Sequence, residues 1–167
     1  MCENKKNNKV RPIMESDDSL IAEIIRANLE KFHLDIPGTV YFDPELDHLS
    51  AFYRAKPEKR GYFIALDDKG QVIGGVGIAE FCGFDCCAEL QKIYLTDTAK
   101  GKGMGKYLMQ LAEDFARNIG YQRLYLETHT NLETAIRMYE KNGFRQIDKP
   151  EAVLHNTMNR FYIKELK

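Results

Sequence analysis

The chain has 167 residues, of which 44% are hydrophobic and 29% charged, with a formal net charge of -1. That length suits one domain, 1–167, burying about 70% of the surface its unfolded form exposes. A charge this close to zero provides no global field to recruit nucleic acid or an anionic membrane. The longest weakly polar run, Val72 to Ala79, is far too short to span a bilayer.

Met1 to Lys9 is polar and lacks the apolar core of a signal peptide. It reads as a loose leader, 1–8, on a cytoplasmic protein. Val10 to Met14 reads as a first strand. Ser16-Asp17-Asp18-Ser19 supplies cap candidates for a helix carrying Leu20, Ile21, Ile24, Ile25 and Phe32 at helical spacing. Asp35 to Pro44, with two prolines and a glycine, reads as loop. Leu46, Leu49, Phe52 and Tyr53 suggest a second helix ending before Pro57. Tyr62–Leu66 and Val72–Phe81 read as strands joined by an Asp67-Asp68-Lys69-Gly70 turn. Gly74, Gly75 and Gly77 weaken the second of these and predict a bend or bulge. Cys86 to Leu95 makes another strand. Cys82-x-x-x-Cys86-Cys87 lacks the C-x₂-C pairs of common zinc sites, so free thiols and no metal are expected.

Next comes Lys100-Gly101-Lys102-Gly103-Met104-Gly105-Lys106. Glycines let backbone approach a ligand closely. The head of a helix presents amide hydrogens with no intrahelical partner, and these favour an anion. The stretch therefore reads as a phosphate or pyrophosphate cradle. It lacks the glycine spacing and the Ser/Thr of a P-loop, and the third glycine of a dinucleotide fingerprint. The following helix has Met104, Leu108, Leu111, Phe115 and Ile119 as its apolar stripe, with Glu113 among residues mainly outside it, and Gly120 as a C-terminal cap. Leu124 to Thr128 alternates as a strand. The order strand–loop–helix–strand predicts a crossover between parallel strands. Thr130-Asn131-Leu132-Glu133 fits a capping box for a helix with Leu132, Ala135, Ile136 and Tyr139 on one face, ended by Gly143. Phe144–Ile147 and Arg160–Leu166 close the chain as strands.

Two motifs resemble the GNAT superfamily of acetyl-CoA-dependent N-acetyltransferases. Lys100-x-x-Gly103-x-Gly105 is similar to its R/Q-x-x-G-x-G/A loop in all but the first residue, where lysine keeps the charge and loses the planar fork. Asn131-Leu132-Glu133-Thr134-Ala135-Ile136-Arg137-Met138-Tyr139-Glu140-Lys141-Asn142-Gly143-Phe144 resembles its N-x-x-A-x-x-x-Y-E-K-x-G-F hallmark. The opening Val-Arg-Pro-Ile and the strand Leu90–Leu95 are similar to the family as well, so the likeness runs from about Lys9 onward.

The resemblance implies an α/β (α+β) fold: a mixed, mostly antiparallel sheet of about six to seven strands, splayed between strands 4 and 5, with about four helices. It implies acetyl-CoA as co-substrate and a primary amine of a small molecule or peptide as acceptor. It implies donor contacts from Ile93, Tyr94 and Leu95, from Lys100, Gly101, Lys102, Gly103, Met104, Gly105 and Lys106, and from Asn131. Tyr139 would be the general acid that protonates the departing thiolate. Glu89 is the candidate base, because a lone carboxylate in a central strand is costly unless paired or working. Glu127 and His129 are the alternatives. A backbone N–H near Leu95 would hold the oxyanion. The acceptor site would be built by 32–53, with Tyr41, Phe42, Asp43, Glu45 and Asp47 suiting a cationic amine, and by 151–160. The chain would act as a monomer or homodimer. A non-catalytic acyl-CoA-binding sensor on the same fold is the alternative function.

Overall fold

The computed structural model describes residues 9–153 and 157–167. Among these, the strands form one seven-stranded sheet in the order β1-β2-β3-β4-β5-β7-β6. In chain order the elements are β1 (Lys9–Pro12), α1 (Asp18–Lys31), α2 (Leu49–Arg54), β2 (Gly61–Leu66), β3 (Val72–Phe81), β4 (Cys87–Leu95), α3 (Met104–Asn118), β5 (Arg123–Thr128), α4 (Glu133–Lys141), β6 (Arg145–Ile147) and β7 (Arg160–Glu165). All neighbouring strands pair antiparallel except β4 and β5, which pair parallel as the crossover order predicts.

Two apolar clusters, one with α1 and α2 and one with α3 and α4, build the core. α1 and α2 bury Ile21, Ile25, Leu29, Leu49 and Tyr53 with Tyr62 and Ile64 of β2. α3 and α4 bury Leu108, Met109, Ala112, Ala116 and Tyr139 with Leu90 of β4 and Leu124 and Leu126 of β5. The period-2 alternation of β5 sends Leu124 and Leu126 to one cluster and Tyr125 to a third, with Cys87 and Phe161. Among the described residues no helix is long and apolar enough to cross a membrane.

Local devices differ from the sequence expectation in instructive ways. The acidic residues ahead of α1 hold tertiary contacts. Asp17 takes the Arg11 guanidinium at 2.7 and 2.9 Å, and Asp18 takes the Ser50 hydroxyl at 2.6 Å. The face α3 buries is rotated from the expected stripe. Leu111, Phe115 and Ile119 are only half-buried, while the small Ala112 and Ala116 lie flat against the sheet. Glu113 is buried there too, because Lys164 of β7 reaches it at 2.8 Å and supplies the partner a buried carboxylate needs. The capping box at Thr130 does not form. The N-cap of α4 is Leu132, with no side-chain bond, and Thr130 pairs with Asn159 through its amide and hydroxyl.

The bulge expected near Gly75 and Gly77 is present, and the extra residue is on β4. Gly75 pairs with Tyr94 and Gly77 with Gln91, so Lys92 and Ile93 together face Val76. Lys92 adopts φ 49°. Gly77 is required for a second reason, since a Cβ there would overlap the Tyr53 and Tyr62 rings.

Candidate active site

The parallel pairing of β4 and β5 is short. It joins Cys87 to Arg123, Ala88 to Leu124 and Glu89 to Tyr125, and stops. From Leu90 to Leu95 the β5-facing edge of β4 has no strand partner. On the other edge the Thr96 N–H donates to Ile73 C=O at 2.8 Å. Strand alternation therefore turns the backbone groups of Leu95 toward the gap. The Leu95 carbonyl is met there by the Asn28 side-chain amide at 2.9 Å. Unpaired strand backbone inside a protein is costly unless something binds it.

At the end of this gap lies the glycine-rich loop. Gly103 is the N-cap of α3, with φ 82°, a conformation that favours glycine. The first helical bond runs from Tyr107 N–H to Gly103 C=O at 3.0 Å. The amides of residues 101 to 106 have no acceptor among the described residues, and Gly101, Lys102 and Gly103 are exposed. This is the array of free donors that an anion requires. Lys102 and Lys106 are exposed on either side. Lys100 is placed differently. Its ammonium donates to Asn28 Oδ1 at 2.7 Å and to Asp97 at 3.0 Å, and lies over the Phe32 ring. It anchors the loop to α1.

Tyr139 of α4 is buried beside Phe144 and Tyr162. Its hydroxyl has no hydrogen bond among the described residues, and burial pushes the phenol above its ordinary value of 10. Asn131, exposed ahead of α4, donates its side-chain amide to the Phe32 carbonyl at 2.9 Å. His129 accepts the Asn131 N–H on Nδ1 at 3.0 Å, a turn-forming contact.

A cavity of about 630 Å³ opens across the gap on the α1 and α2 face. Thr39, Val40, Phe42 and Asp43 line it from the segment after α1, Glu89, Gln91, Lys92 and Tyr94 from β4, Glu127 from β5, and Val153 and Met158 from the segment before β7. Of the acidic and aromatic residues expected at an acceptor site, Phe42 and Asp43 line this cavity. Tyr41 is bonded to Glu30 at 2.6 Å and Asp47 to Arg26 at 2.7 and 2.9 Å. Within the expected segment 151–160, residues 154–156 lie outside the described residues.

Glu89 is the titrating group of this cavity. Burial first, and the nearby Glu127 second, push its carboxyl from 4.5 up to about 7. One bond and the nearby Lys92 charge oppose this: Gln91 Nε2 donates to Glu89 at 3.2 Å, and Gln91 Oε1 in turn accepts the buried Tyr53 hydroxyl at 2.7 Å. Tyr53 and Gln91 thus fix the rotamer of Glu89. Glu127 accepts the Tyr125 hydroxyl at 3.0 Å.

Asn28, Gln91, Lys92 and Thr128 did not stand out in the sequence. Asn28 carried a usable signal: it falls on the apolar stripe of Ile21, Ile25 and Leu29, where a polar residue needs a buried partner. Thr128 carried none. Its hydroxyl, on the arm of β5 beyond the β4 pairing, is buried with no hydrogen-bond partner among the described residues. Among those residues no cluster of three or more His, Cys, Asp or Glu could hold a metal ion, and Cys82, Cys86 and Cys87 are free thiols.

A gap between parallel strands, free amides at its end and an acidic cavity across it are the features that the resemblance to N-acetyltransferases implied. Residues 23–144 match the acetyltransferase (GNAT) family model. The chain belongs to the GNAT family of acetyltransferases. It is 37% identical over 142 residues, 83% of each chain, to the uncharacterized N-acetyltransferase YjgM of Escherichia coli (strain K12). Its fold is similar to that of a GNAT-family acetyltransferase from Staphylococcus aureus Mu50, with TM-score 0.83 and 21% identity over 95% of this chain and 99% of that one. It is also similar to a GNAT-superfamily phosphinothricin acetyltransferase from Sinorhizobium meliloti, solved in complex with AcCoA, with TM-score 0.74 and 22% identity over 95% and 88%.

Proposed function

We propose that the chain transfers an acetyl group from acetyl-CoA to a primary amine by direct attack within a ternary complex. The observation that carries this reading is the end of β4–β5 pairing at Glu89, which leaves strand backbone open beside an acidic cavity. The residues present fit a CoA thioester. Pantetheine amides would pair with Ile93 to Leu95, the pyrophosphate would meet the amides of Gly101 to Lys106, and the Asn131 Oδ1 and Thr128 hydroxyl are further partners.

In this reading the acceptor enters as an ammonium. Glu89, ionised above about pH 7, takes its proton directly or through a water. The amine nitrogen bonds to the thioester carbon, and the Leu95 N–H stabilises the oxygen as charge gathers on it. The carbon–sulfur bond breaks, Tyr139 gives its proton to the sulfur, and the nitrogen sheds its second proton, which returns through solvent to the Tyr139 oxygen, leaving an amide and a free thiol. Burial keeps the Tyr139 phenol protonated at any working pH but also makes it a weaker donor, so the transfer draws on the charge that gathers on the sulfur as its bond breaks.

A panel of primary amines with acetyl-CoA, followed by thiol release, tests the reading. Tyr139→Phe is expected to lower kcat by about 10²-fold or more while CoA affinity stays within about twofold. Thiol release that no amine raises above background hydrolysis would overturn it.

A further inference from the structure

Lys92 is in the acceptor cavity because of the bulge. In a regular strand Gln91 and Lys92 would face opposite sides. The extra residue of β4 lets both line the same cavity as Glu89. Its φ of 49° lies in the left-handed region that disfavours a residue with a Cβ.

The ammonium of Lys92 has no hydrogen bond or ion pair among the described residues. Desolvation lowers its pKa, while Asp43, Glu89 and Glu45 support its charge from beyond bonding distance. Taking an ammonium out of water without a partner is costly. The cavity thus presents one unpartnered cation among the carboxylates of Asp43, Glu89 and Glu127.

We propose that Lys92 selects the acceptor by holding a carboxylate, so that the substrate is an amino acid or a similar small aminocarboxylic acid. This rests on the acetyltransferase reading above. A diamine would bring a second cation against Lys92, and a simple alkylamine would leave Lys92 unpaired. A zwitterion satisfies both ends of the cavity: its ammonium turns to Glu89 and its carboxylate to Lys92. About 10 Å of strand separates the two Cα positions, within reach of both side chains and a ligand between them. A volume of about 630 Å³, with Leu29, Val40, Phe42 and Val153 in the walls, leaves room for an apolar side chain.

The test compares matched pairs that differ only in the carboxylate: phenylalanine with 2-phenylethylamine, methionine with 3-(methylthio)propylamine, lysine with cadaverine. In at least one pair the amino acid is expected to exceed the amine at least tenfold in kcat/KM. Lys92→Met should raise KM for that amino acid at least tenfold, with kcat changed less than threefold, and shrink the ratio within the pair. Lys92→Arg should restore part of it. Retained CoA affinity shows that each variant is folded. Equal or better turnover of the amines, or equal loss of both members of a pair in Lys92→Met, would overturn the proposal while leaving the acetyltransferase standing. Acetyl-CoA binding with no turnover of any amine or amino acid would overturn both.

Discussion

Glu89 is where we expect the pH dependence of activity to arise. Its carboxyl is held at about 7 by burial and by Glu127, so it is half ionised near neutrality. If it is the base, kcat/KM rises with pH through about 7 and then levels. Glu89→Gln should remove that limb and lower the plateau by about 10²-fold or more, as pH–rate profiles of the two proteins would show. A persistent limb in the variant would assign it elsewhere. The same shift acts on stability. Between about pH 4.5 and 7 the folded chain retains a proton that the unfolded chain has released. The contribution of Glu89 to stability therefore falls as pH rises through this window, and urea melts of Glu89→Gln should lack that part of the slope. Glu89 was visible in the sequence as the one carboxylate in a strand otherwise rich in uncharged residues. Lys92 was not, because strict alternation assigns it to the far face, and only the register slip at Gly75 and Gly77 brings it round.

At the scale of elements, α1 controls the loop it faces. Asn28 donates to the Leu95 and Ile24 carbonyls at 2.9 Å and accepts from Lys100 at 2.7 Å. One buried amide thus holds the last residue of β4, its own helix and the first residue of the glycine-rich loop. Asn28→Leu should cost about 1–3 kcal/mol in a urea melt, because it leaves buried groups unpaired. It should also raise KM for acetyl-CoA several-fold with a smaller change in kcat. A variant with wild-type KM would show that the loop holds its shape unaided. The loop, the helices on either side of β5 and the parallel crossover were all legible in the residues, since periodicity and glycine placement are local. The rotated face of α3 was not, because it depends on Lys164 arriving from β7 to satisfy Glu113. The missing cap at Thr130 has the same origin: Asn159, distant in sequence, takes the hydroxyl that a cap would have used.

At the scale of the whole molecule, a ligand in the gap should act as a stabiliser. Coenzyme A binding only the folded chain at 100 times its Kd adds about 2.7 kcal/mol. For a domain of this size that is a rise in Tm of roughly 5–11 °C, saturable and readable by scanning calorimetry. A Tm indifferent to coenzyme A would argue that the gap is not its site. The sheet is the reason to expect a large response. Among the described residues, the strands of its two portions, β1 to β4 and β5 with β7 and β6, pair at only three positions.

That narrow seam also divides the labour. Glu89, Gln91, Lys92 and the head of α3, which packs on β3 and β4, ride on one side of it, and Tyr139 and Asn131 belong to the part of the chain that builds the other. On the proposed mechanism, a substitution that pivots these two plates against each other, even one remote from both substrates, would mis-aim Tyr139 against the thioester while leaving each plate intact.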